Sequence, residues 1–307
     1  HAVEVALEPL SAAAVAEVVV SRAGPAAAGG RLAAIVYDHT RGNPLFVTTL
    51  LDAWLREGGA LARGASLDEL EIGVPSSLTE LIEQRLSALD PDDVAVLEAG
   101  AVAGGEFASA LVAAALEREP DEVERALLDL AGRCDLLQEG SEALWPDGTV
   151  STRFSLTHDL YQEVLYDRLP AGLRARLHAR IGARLEAALG TATAETASEI
   201  AEHYLRAREW GRAVRALEAA ALSALRRSAP AEALEHARTG LRAVAALPED
   251  EDRDRVELAF QMLVGQSLVA VEGFSSEGAK AAQARALELS RALGDEVGEA
   301  RALFALA

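Results

Sequence analysis

The sequence predicts a mainly α-helical protein whose principal β element is a two-stranded wing. Half of the 307 residues are apolar but only 4% are aromatic, so the cores must be built from Ala, Leu and Val. Ala and Leu lead the helix propensity scale, which favours close-packed helices. Most of the chain also carries apolar residues at helical spacing, in segments bounded by capping residues, Gly or Pro.

The charge balance argues against some partners. The formal net charge is −20 and the pI is near 4.7, so the surface should repel nucleic acid and anionic membranes. No run of eighteen apolar residues and no signal-peptide pattern occurs. The single cysteine, Cys134, excludes an intrachain disulfide and fits a reducing, cytoplasmic compartment. Because the chain starts at His1 and ends within an amphipathic pattern, we expect a segment of a longer protein.

Residues 1–60 are predicted to form a small helical subdomain. Glu4 to Leu10 alternates polar and apolar residues like an edge strand. Ser11 is placed to cap a first helix, and a second helix is expected from Arg31 to His39. The Gly42-Asn43-Pro44 turn follows, and Pro44 suits the first position of a third helix that runs to Gly58.

Residues 74–170 have the outline of a winged helix. Four helices are predicted, beginning near Pro75, Asp90, Ser109 and Pro120. Two strands then follow, Leu136 to Gln138 and Thr152 to Leu156, joined by a turn around Asp147-Gly148. A last helix, from Asp159 to Arg168, completes this region.

One short motif in this region spells the signature of diguanylate cyclases, G-G-E-F, at Gly104 to Phe107. In those enzymes the motif needs a β-hairpin, whereas the residues on both sides of it here have helical periodicity. We therefore interpret it as a helix–helix turn with Phe107 in the core.

After Pro170 the sequence predicts only helices. Seven are expected, over 171–189, 195–208, 211–227, 230–246, 252–271, 276–293 and from 296 onward. Their similar lengths, short connections and small residues at predicted contacts resemble tetratricopeptide (TPR) units. Stacked TPR-like hairpins follow, because a lone helix pair cannot bury its apolar face. On the first of these helices, Arg174, Arg176, Arg180 and Arg184 form a basic stripe that we expect to pair with the acidic surface.

No catalytic constellation is found, so the segment is not expected to be an enzyme. A P-loop needs a lysine followed by Ser or Thr, but the only lysine, Lys280, precedes Ala281. Asp38 could end a Walker B strand, yet the same residues suit a helix face, and we favour a solvated helix end. The six histidines show no spacing typical of zinc sites.

The order of these elements resembles the region that follows the catalytic core in STAND-type ATPases, the signal-transduction class of the AAA+ relatives. The resemblance rests on Thr40 to Phe46 (T-R-G-N-P-L-F), Val74 to Leu78 with Ile82 and Arg85-Leu86, Phe154 to Leu169, and Arg176 to His178. It implies an ATPase lid in residues 1–60, a winged helix in 74–170 and a TPR-like sensor in 171–307. It also implies a bacterial regulator whose output is a DNA-binding, cyclase or kinase domain.

The resemblance further implies a nucleotide site for ATP or ADP. Gly42, Asn43 and Pro44 match the lid motif near the adenine, and His158 of Thr157-His158-Asp159 matches a histidine that contacts the β-phosphate. Structural alternatives stay open for both stretches. The Gly42-Asn43-Pro44 turn can be a helix C-cap followed by a proline at the first helical position. Thr157 or Asp159 can cap the next helix.

Partners follow from the same resemblance. They are an upstream P-loop domain of the same chain and a protein or small-molecule effector on the helical repeats, with oligomerisation on activation as a further option. Direct DNA binding is not expected, because the helix at the recognition position, Pro120 to Arg133, is net acidic. No membrane contact is expected either. Two alternative functions stay open: a helical-repeat interaction module without a nucleotide role, and a DNA-binding transcriptional regulator.

Overall fold

The computed structural model describes residues 9–24, 31–44, 46–48, 50–51, 76–190 and 193–306. Within these residues the chain is mostly helical, with one small three-stranded sheet. The predicted strand at Glu4 to Leu10 lies largely outside the described residues. So do the end of the third helix and the junction between the first two predicted domains.

The elements are numbered in chain order. The helices before the repeats are α1 (Ala12–Ala23), α2 (Arg31–Thr40), α3 (Ser76–Leu86), α4 (Pro91–Ala103), α5 (Ser109–Leu116), α6 (Pro120–Arg133) and α7 (Asp159–Arg168). The strands are β1 (Glu106–Ala108), β2 (Leu137–Leu144) and β3 (Val150–Leu156). The later helices are α8 (Ala171–Leu189), α9 (Ala194–Ala207), α10 (Trp210–Arg226), α11 (Pro230–Val244), α12 (Glu251–Glu272), α13 (Glu277–Leu293) and α14 (Glu296–Leu306). Pro44 begins a further helical segment between α2 and α3.

Two interleaved compact units make up the chain. The first unit consists of residues 1–109, 121–141 and 152–169, and the second of residues 110–120, 142–151 and 170–307. The second unit therefore holds all seven later helices together with two short segments from earlier in the chain.

Capping side chains start the helices where the sequence predicts. The Ser11 hydroxyl accepts a hydrogen bond from the Ala14 N–H at 3.2 Å, and α1 begins at the next residue. The Asp90 carboxylate accepts from the Asp92 N–H at 3.0 Å, with Pro91 as the first residue of α4. These acceptors satisfy backbone donors that a helix start cannot pair internally.

The G-G-E-F stretch is not the helix–helix turn that the sequence predicts. Glu106–Ala108 forms β1, which pairs antiparallel with β3 so that Phe107 faces Phe154. The two predicted strands therefore belong to a three-stranded sheet of order β1-β3-β2. The prediction was wrong because a three-residue strand is too short to show its own periodicity. The core position of Phe107 is confirmed, since the side chain is only 3% exposed.

The helices after Pro170 agree closely with the prediction. From α8 to α14 each helix packs against the next along the chain, which is how stacked helical hairpins bury their apolar faces. The small residues expected at these contacts, Ala220, Ala224, Ala233 and Ala237, are fully buried. Gly240 allows a close approach of α11 and α12, because a Cβ there would lie 2.2 Å from the Phe260 ring.

Candidate functional site

The turn after α2 is shaped by its own backbone contacts. Arg41 and Gly42 both have positive φ angles, of 46° and 78°, and the Asn43 N–H donates to the Thr40 carbonyl at 2.8 Å. The Gly42 carbonyl accepts from the Leu10 N–H at 2.8 Å. A Cβ on Gly42 would lie 2.0 Å from the Leu10 carbonyl oxygen, so only glycine fits this position.

Asn43 and Pro44 start the next helical segment. The Asn43 side-chain oxygen accepts from the Phe46 N–H at 3.4 Å, as an N-cap residue does. Pro44 is exposed at the first helical position, and Phe46 is fully buried. The capping alternative therefore accounts for Gly42 and Asn43, whereas the exposed Pro44 ring is available for contact. Nucleotide contact by these three residues stays a prediction.

His158 occupies the N-cap position of α7, yet its side chain makes no capping hydrogen bond. The neighbouring Thr157 hydroxyl donates to the Asp135 carbonyl at 2.6 Å, and Asp159 is the first helical residue. The alternative in which Thr157 or Asp159 caps this helix is therefore wrong. The Thr157 hydroxyl is bonded instead to the residue Asp135, just before β2, and the N-cap residue His158 gives no side-chain cap.

The His158 ring lies in an aromatic cluster. Its centroid is 5.3 Å from that of Phe46 and 5.5 Å from that of Tyr161, and the Phe46 and Tyr161 centroids are 5.6 Å apart. Such edge-on and tilted contacts are favourable for aromatic rings. The two stretches that the sequence singles out, Thr40 to Phe46 and Thr157 to Asp159, thus meet in the first unit.

One nitrogen of His158 is not satisfied. Its Nδ1 is buried and has no hydrogen-bond partner within the part of the chain that the structure describes. Burial lowers the pKa of His158; Arg41 and Arg85 lower it further, and Asp159 opposes them. A buried polar atom without a partner is costly, so this nitrogen marks a place where a ligand atom can contribute.

Two arginines surround this cluster. Arg85 donates to the Tyr161 hydroxyl at 3.0 Å, and Arg41 lies 3.5 Å from the Asp159 carboxylate in an exposed ion pair. Burial raises the pKa of Tyr161, which keeps its hydroxyl neutral. Both arginines lie within the motifs that carry the resemblance, but their position beside His158 could not be inferred from sequence. Together they make the surroundings of His158 suitable for an anionic group.

A second histidine site was not expected at all. In the second unit, Nδ1 of His178 and Nδ1 of His203 are 2.9 Å apart on neighbouring helices, and both side chains are buried. Burial lowers the pKa of His178 to about 3, with a contribution from His203, and the pKa of His203 to about 4. The two residues are 25 positions apart, so no local spacing signals the pair.

Other site types are not seen among the described residues. No group of three or more His, Cys, Asp or Glu side chains there could hold a metal ion. None of the described helices combines the length and apolar character needed to cross a lipid bilayer.

Comparisons with known proteins give one structural neighbour. No protein-family model matches the chain, and no curated protein matches it. A solved structure that resembles it is a Signal Transduction ATPase with Numerous Domains (STAND) protein with a tetratricopeptide repeat sensor from Pyrococcus horikoshii. The identity is 12% and the TM-score 0.34, over 98% of this chain and 50% of that one. The chain thus spans about half the length of this neighbour.

Proposed function

We propose that this chain is the regulatory and sensor segment of a signal-transduction ATPase. In this proposal residues 1–60 and 74–170 act as the lid and winged helix, which close over ADP or ATP bound to an upstream P-loop domain. Residues 171–307 form a TPR-like sensor that binds a protein or small-molecule effector. The effector then biases the open or closed state, as in any two-state linkage.

The observation that carries the proposal is the unpartnered Nδ1 of His158. A polar atom buried without a partner costs about 1–3 kcal/mol, which a bound group could recover by accepting a hydrogen bond from it. An imidazole N–H can donate to a phosphate oxygen in either protonation state. Arg41 and Arg85 add positive charge near the ring, and after burial they contribute to the lowered pKa of His158.

The order of elements supports the winged-helix part of the proposal. Helix α4, strand β1, helices α5 and α6, and strands β2 and β3 follow one another as in winged helices. The chemistry of α6 argues against DNA as its target. Arg133 is paired with Asp93 at 2.7 Å and with Asp129, and Arg125 donates to the Asp121 carbonyl. With its arginines engaged and four acidic residues on the same helix, α6 is poorly suited to bind phosphates.

Pro44 provides the first experiment. If the gene encodes a P-loop sequence, G-x-x-x-x-G-K-[ST], upstream of this segment, the protein extended to include it should bind a fluorescent ADP analogue. The segment alone should not bind it. Pro44→Ala should weaken ADP binding by the extended protein about fivefold, because the exposed ring no longer packs against the base.

Pro230→Ala is the matched control, since Pro230 is also the first residue of a helix, α11, but lies in the helical unit. The absence of any upstream P-loop, or equal ADP affinity in the two variants and the unmodified protein, would favour the interaction-module alternative. Salt-sensitive DNA binding by this segment would instead support the transcription-factor alternative.

A further inference from the structure

Helix α8 carries an arginine that holds the turn between β2 and β3. Arg184 donates to the Asp147 carboxylate at 2.8 Å and to the Thr149 hydroxyl at 2.6 Å. Its guanidinium also lies over the Trp145 ring, 4.7 Å from the centroid. We call these four residues the Arg184 cluster, and all of them belong to the second unit.

Hydrogen bonds within the cluster and the turn fix the geometry of the turn. The Trp145 N–H donates to the Thr149 carbonyl and the Gly148 N–H to the Trp145 carbonyl, both at 2.9 Å, with Gly148 at a φ of 86°. Asp147 also accepts from the Thr149 N–H at 2.9 Å. These bonds lower the pKa of Asp147 to about 2, with Thr149 contributing most and Arg184 next. Asp147 is therefore charged throughout the physiological range, and its bond to Arg184 is charge-assisted.

A second arginine reinforces the attachment one turn earlier on α8. Arg180 donates to the Ala115 carbonyl at 2.8 Å and pairs with the Glu117 carboxylate. Ala115 lies in the last turn of α5, where backbone carbonyls have no partner within the helix. Arg180 and Arg184 thus fasten two separate segments, 110–120 and 142–151, to the first repeat helix.

The held turn is connected directly to the candidate site. Thr149 immediately precedes β3, and His158 comes two residues after β3 ends at Leu156. A strand is nearly inextensible along its length, so a displacement of the turn is transmitted to its far end unless the strand pairing breaks. β3 pairs with β1 at Arg153, Phe154 and Ser155, beyond the point where the turn is held.

We propose that the Arg184 cluster mechanically couples helix α8 to the His158 segment through β3. Movement of α8 pulls on Thr149, and β3 passes this movement to Thr157 and His158. If the proposed function holds, this is how effector binding on the repeats reaches the nucleotide contact. The coupling itself needs no nucleotide and can be tested without it.

Hydrogen exchange on the chain as it stands tests the coupling. In Arg184→Gln the amides of 145–149 should exchange about tenfold faster, because a charge-assisted contact is lost. The amides of 150–161 should also exchange faster, since β3 is no longer anchored at its start. Thr149→Val, which removes the hydroxyl's bonds to Arg184 and Asp147 but no charge, should give the same pattern at smaller amplitude. It also guards against a folding defect in the arginine variant.

Arg176→Gln is the matched control, because Arg176 is exposed on the same helix. It should leave exchange in both regions unchanged. Faster exchange confined to 145–149 in both variants would overturn the coupling and leave only a local contact. Unchanged exchange at 145–149 in Arg184→Gln would show that the Arg184 cluster does not hold the turn. Neither result bears on the nucleotide proposal. If the nucleotide proposal fails instead, the exchange pattern predicted here should still be observed.

Discussion

Two histidine sites, one in each unit, differ in how their buried ring nitrogens are paired. In the helical unit His178 and His203 bind each other through their Nδ1 atoms at 2.9 Å, so one ring donates and the other accepts. In the first unit His158 is packed among Phe46 and Tyr161, but its Nδ1 has no partner among the described residues. The pair is a satisfied element of a core. His158 keeps an energetic cost at its Nδ1, as His236 does at its Nε2 in the helical unit. Such costs are frequent at functional sites.

The largest effect should come from breaking the satisfied pair. His178→Leu leaves the buried Nδ1 of His203 without its partner, and should lower the free energy of unfolding by about 3 kcal/mol. Urea unfolding followed by circular dichroism measures this. The double variant His178→Leu/His203→Leu should recover part of the loss, because no polar atom is then orphaned. Equal losses in the single and double variants would contradict the role of this hydrogen bond.

The free energy of unfolding should be nearly as sensitive to a substitution at Gly42, in the turn that precedes Phe46. Gly42→Ala places a Cβ against the Leu10 carbonyl at a positive φ, so it should cost about 2 kcal/mol of stability. Gly24→Ala is a useful control, because Gly24 also has a positive φ but its added Cβ meets no atom within 4 Å. If the two variants lose the same stability, the contact between Leu10 and Gly42 contributes nothing.

The paired histidines also predict a pH dependence with a definite sign. Burial holds their pKa values at about 3 and about 4, below the ordinary 6.5, so the unfolded chain binds more protons between these limits. Stability from this source is complete above about pH 6.5 and is lost progressively as the pH falls towards 4. Melting temperatures at pH 7.5 and 5.0 should differ less in the double leucine variant than in the unmodified chain. An identical difference would show that other groups account for the acid sensitivity.

The smallest effect is expected at His158 itself. His158→Leu replaces the ring and its unpartnered nitrogen with an apolar side chain of similar size, so the stability of the chain should change by less than about 1 kcal/mol. The same urea titration measures it. A loss as large as that of His178→Leu would mean that His158 is an ordinary core residue.

Local signals in the sequence were enough to predict most of the helices. Ser11, Asp90 and the Pro residues at helix starts act within one turn, so their effects can be seen without the fold. Strand β1 was missed because Glu106–Ala108 is too short for a periodic pattern and owes its extended form to pairing with β3. That pairing joins residues almost fifty positions apart.

Only part of the candidate site could be predicted from the sequence. The resemblance singled out Thr40 to Phe46 and Thr157 to Asp159, and the structure brings these stretches together. The need for glycine at position 42 arises from contact with the distant Leu10, and the His178–His203 hydrogen bond joins two helices. Neither contact can be predicted from local sequence. The basic stripe on α8 was expected to pair with acidic groups, which Arg180 and Arg184 do. Their targets, the end of α5 for Arg180 and the turn before β3 for Arg184, depend on packing that no single segment encodes.

The most direct test of the central claim is the rate at which ADP leaves the protein that includes the upstream P-loop domain. Stopped-flow displacement of a fluorescent ADP analogue measures it in His158→Ala and in the control His236→Ala, whose histidine lies in the helical unit beside Glu232. We predict that ADP leaves the His158 variant about tenfold faster, the loss of roughly one hydrogen bond to a charged group, and leaves the His236 variant at the unmodified rate. Equal rates in all three proteins would contradict the assignment of His158 as a nucleotide contact.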